Sequence, residues 1–178
     1  MAEIVDMIVL RLTAFLQQEM MDNVSDDTKA SEVKAYRFQD SPLDLPIYVA
    51  VLGGSPGDTG FLDARIGYTD MNDLGLQIPS GEVGGGHLWW RRGRVKLGCY
   101  FIQGNLSQED AAQKAHIIKG RAMFNIERCP VSDLVDDFGE RAHWMVVTAS
   151  TFSEGGGPEN QYLWRGMIHW QVLTERPY

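Results

Sequence analysis

The chain has 178 residues, 44% of them hydrophobic and 22% charged, which suits one folded domain and excludes a largely disordered polymer. A net charge of −8 excludes a surface that grips nucleic acid over its whole extent, since neutralising phosphates takes concentrated Lys and Arg, yet it suits a conduit past which DNA slides. The two cysteines, Cys99 and Cys129, lack the spacing of a zinc site or a redox CxxC, and Cys99 falls on an apolar strand face as a buried thiol.

In chain order, Ala2 to Met21 is expected to be helical, because Ile4, Ile8, Leu12, Phe15, Leu16 and Met20 recur near a 3.6-residue period. Glu3, Asp6, Arg11 and Gln17 interrupt this stretch and make it neither a signal peptide nor a membrane span. Residues 23–46 read mostly as connection, with a short strand at Val33 to Phe38. Ile47 to Leu52 is compact, β-branched and bounded by Pro46 and Gly53, the pattern of a central strand buried on both faces. From Ser55 to Gly86 the chain turns rich in Gly, Asp and Pro, and only Phe61 to Tyr68 offers a further strand. A connection of that length reads as a projecting insertion, suited to contacting a neighbour in a protein that works by assembly.

Arg94 to Gln103 alternates Val95, Leu97, Cys99 and Phe101 with more polar positions and is expected to be a strand. A helix follows, with Ser107 as its cap, Asp110 three residues on, and Ala111, Ala115, Ile118, Ala122 and Ile126 along one face as far as Glu127. Cys129-Pro130 stops it. Val131 to Gly139 reads as a helical turn or an irregular edge. Trp144 to Phe152 and Tyr162 to Leu173 form a hairpin around a glycine-rich tip, with Tyr162, Trp164, Ile168, Trp170 and Val172 on one face. The expected fold class is α+β: a mainly antiparallel or mixed sheet, two helices packed on one face, and a single domain over 1–178 with 55–86 as a projecting loop or insertion.

Catalytic signatures are missing from the sequence. Gly81 to His87 lacks the GxxxxGK[ST] spacing that cradles phosphate, there is no HExxH pair among the scattered histidines, and no GxSxG elbow occurs. Adjacent carboxylates at Asp26-Asp27 and Asp136-Asp137 read as solvated turns, since neighbours in sequence seldom flank a substrate. The expectation is therefore a non-enzyme with no cofactor and no metal. One basic cluster stands out, Arg91, Arg92, Arg94 and Lys96, directly after Trp89 and Trp90. Three readings fit it: ion pairs to acidic residues of a neighbouring subunit, solvated strand residues, or stacking and phosphate contact with DNA. Trp89 and Trp90 point oppositely if both are extended, which makes one of them a candidate interface anchor.

The N-terminal helix beginning Ile4-Val5-Asp6-Met7-Ile8, the early strand Ile47 to Leu52, the strand-helix unit Gly98 to Glu127 and the closing hairpin ending Leu163 to Trp170 together resemble the tail terminator, or tail completion, proteins of long-tailed bacteriophages. The resemblance covers most of the chain outside Ser55 to Gly86 and implies no catalytic residue. It implies a structural virion protein that assembles as a ring, typically a hexamer, on the last ring of the tail tube and stops tube polymerisation. The implied partners are further copies of the chain, the major tail tube protein, and the head-tail connector or neck protein, with genomic DNA passing through the lumen and no membrane. The implied location is the head-proximal end of the tail in the virion, after assembly in the host cytoplasm. Alternative readings are another connector, adaptor or baseplate-associated protein, or a small-molecule enzyme with 55–86 as a lid.

Overall fold

The computed structural model describes residues 3–24, 30–35, 47–53, 86–102, 107–155 and 161–177. Helix α1, Ile4–Gln17, buries Ile4, Ile8, Leu12 and Leu16 on its inner stripe and widens into a π-helical turn, Gln18–Asp22, that buries Met20. Helix α2, Gln108–Arg128, starts where Ser107 Oγ accepts the Asp110 N–H at 3.1 Å and in turn donates to Asp110 Oδ2 at 2.7 Å. Three of its inner residues are alanines, Ala111, Ala115 and Ala122, which let its backbone lie close to the sheet.

The strands are β1 (Ala30–Ala35), β2 (Ile47–Gly53), β3 (Gly86–Ile102), β4 (Arg141–Gly155) and β5 (Gln161–Pro177). They form one mixed sheet in the order β1-β2-β3-β5-β4, in which β2 and β3 run parallel and every other pair is antiparallel. The α+β expectation holds, with both helices on one face. That face carries Val95, Leu97, Cys99 and Phe101 of β3, with Ile168, Trp170 and Val172 of β5, all buried. Trp170 lies across Gly93, its register partner, where any Cβ would overlap the indole ring.

Several boundaries differ from expectation. β3 begins at Gly86 rather than Arg94, because β5 offers a partner to every residue from Gly86 to Ile102 although the apolar alternation stops at Val95. β4 and β5 are longer than expected for the same reason. β1 occupies Ala30–Ala35 rather than beginning at Val33, and residues 36–46 lie outside the described set. The insertion over 55–86, with its strand at 61–68, also lies outside it apart from Gly86.

Residues 131–140 are an irregular edge built on hydrogen bonds, with one bridge between Val135 and Arg141. Asp136, expected in a solvated turn, is buried. Its Oδ1 accepts the N–H groups of Phe138 at 2.9 Å and Glu140 at 2.8 Å, and its Oδ2 accepts the Ile4 N–H at 3.2 Å. Glu3, at the N-cap of α1, makes no capping bond with its side chain, so a carboxylate 132 residues away takes that place. Gly139 closes the loop at φ +79°, a left-handed conformation suited to glycine.

Candidate assembly interface

The register sets out the basic segment of β3 against β5. Trp89 stands opposite Thr174, Trp90 opposite Leu173, Arg91 opposite Val172, Arg92 opposite Gln171, Arg94 opposite His169 and Lys96 opposite Met167. For Trp89, Trp90 and Arg92 the description extends to the backbone only. Arg91 departs from the inter-subunit expectation, because its guanidinium is bound inside the chain. Nε and Nη2 donate to Glu140 Oε1 at 2.8 and 2.7 Å, and Nη2 donates to Oε2 at 2.9 Å. The Arg91 side chain is 12% exposed and that of Glu140 is 2% exposed, while Arg176 Nε lies 3.7 Å from the same carboxylate. Arg91 sits on the helix side of the sheet with Gly93 and Val95, and an alternation of one residue places Arg94 and Lys96 on the other side.

That second face carries no described helix. Along it β3 contributes Arg94 and Lys96, β5 contributes Arg165, Met167, His169, Gln171, Leu173 and Glu175, and β4 contributes Arg141, Trp144, Val146 and Thr151. Strands of 15 and 17 residues at about 3.3 Å per residue make it a ribbon roughly 50 Å long. Trp144 is 50% exposed beside its register partner Leu173, which is half-buried, as is Met167 farther along β5. Among the described charges of this face, four are cationic, Arg94, Lys96, Arg141 and Arg165, against the single carboxylate Glu175, which contacts His143 at 3.1 Å. His169, out of phase with the buried Ile168 and Trp170, is half-buried here as the alternation requires.

No protein family, curated protein or solved structure matches this chain. Its chemistry is therefore legible only in its own surfaces.

Among the described residues, no group of three or more His, Cys, Asp or Glu side chains is placed to hold a metal ion, and no helix is long and apolar enough to cross a membrane. Both cysteines are free and buried. Burial pushes the Cys99 thiol pKa up, and burial pushes that of Cys129 up to about 12, so both are poor nucleophiles. His116 is exposed on α2, and its ring meets Trp164 and Phe152 edge-on at 5.3 and 5.5 Å, with Lys119 Nζ 5.8 Å from the Phe152 centroid. This is a packing cluster between α2 and the hairpin, joined by Gln108 Nε2 donating to Glu154 at 2.9 and 3.0 Å.

The outer edge of the sheet at β4 is partly closed. The Val147 N–H donates to Glu127 Oε1 of α2 at 3.1 Å, and register shifts interrupt β4 at Ala142/Trp144 and Val147/Ala149. Bulges and a carboxylate cap of this kind discourage edge-to-edge strand addition. On the sheet face that no described helix covers, Leu163 is buried while Trp144 is half-exposed. Sequence periodicity located Arg94 and Lys96 on it but missed Arg165 of β5 as a neighbour of Lys96, since that proximity depends on the strand order.

Proposed function

We propose that this chain is a structural protein of a long-tailed phage that caps the tail tube as a ring, stops its polymerisation and meets the head-tail connector. The observation that carries this reading is the one-sidedness of the domain. Two helices lie on one face of a five-stranded sheet, and the opposite face, on which no described helix lies, presents a half-exposed Trp144 beside Leu173 and near Arg141. Two dissimilar faces on opposite sides of one domain are what heterologous assembly needs, and a head-to-tail contact with the right rotation closes into a ring. The net charge of −8 favours a lumen through which DNA passes without adhering.

The test is a polymerisation assay with purified tail tube subunits. Added protein is expected to halt elongation and shorten the tubes, appearing at one end only. Tubes of unchanged length with no bound protein would contradict the proposal.

A further inference from the structure

We draw no further inference here: the strongest candidate, the exposed stripe of Ile117, Gly120 and Phe124 along the outer side of α2, carries nothing because the cation beside it, Arg128, already stacks on Phe124 and nothing in the structure shows what covers the stripe.

Discussion

Glu140 shows how a buried side chain takes its role from register. Its carboxylate, 2% exposed, is bonded to Arg91 and lies near Arg176, joining the 131–140 loop to β3 and β5. Removing one partner of a buried pair leaves an uncompensated charge, so Glu140→Gln is expected to cost about 3–5 kcal/mol, read as a fall in the urea unfolding midpoint. The double variant Arg91→Met with Glu140→Leu is expected to recover most of that loss, since both charges leave together. A second residue-scale expectation concerns Cys129, whose folded pKa is raised from its ordinary 9.0 to about 12. The folded protein keeps this proton and the unfolded chain releases it. The contribution is therefore complete below pH 9.0 and lost as pH rises towards about 12. Cys129→Ala is expected to flatten the decline of unfolding stability over that alkaline window, and an unchanged slope would contradict it. Neither role was legible in the sequence. Arg91 looked like another member of a basic cluster, and its partner lies 49 residues away with no local signature.

At the scale of elements, legibility followed locality. Helix α2 was readable because its cap, its inner stripe and its Cys129-Pro130 stop all lie within one stretch of chain. The full lengths of β3, β4 and β5 were not, because a strand continues as long as its neighbour does, and the alternation at Trp89 to Arg92 gives no sign of this. The loop 131–140 was the least readable, since its carboxylates looked like solvent-facing turn residues. Asp136 instead accepts three backbone N–H groups, one of them from the first turn of α1. Asp136→Ala is expected to cost about 1–3 kcal/mol. It is also expected to raise hydrogen-exchange rates at Ile4 and the other amides of that first turn, while α2 stays protected. Uniform acceleration across both helices would show instead that Asp136 supports the whole core.

For the whole molecule, the decisive property is that its two faces differ. One carries the two helices, and the other, on which no described helix lies, carries four of the described cations and a half-exposed tryptophan. Of this, the one-sided α+β layering was foreseeable from periodicity, and so was the placement of Arg94 and Lys96 opposite to Val95. The fastening of α1 to residues 130–136 was not, because its hydrogen bonds join parts of the chain more than 100 residues apart. The most direct test of the ring is single-particle imaging of the purified chain at rising concentration, paired with its native mass. The account predicts closed rings with an open lumen and a mass that is one fixed multiple of 20.0 kDa. Compact particles without a lumen, at any multiple, would contradict it.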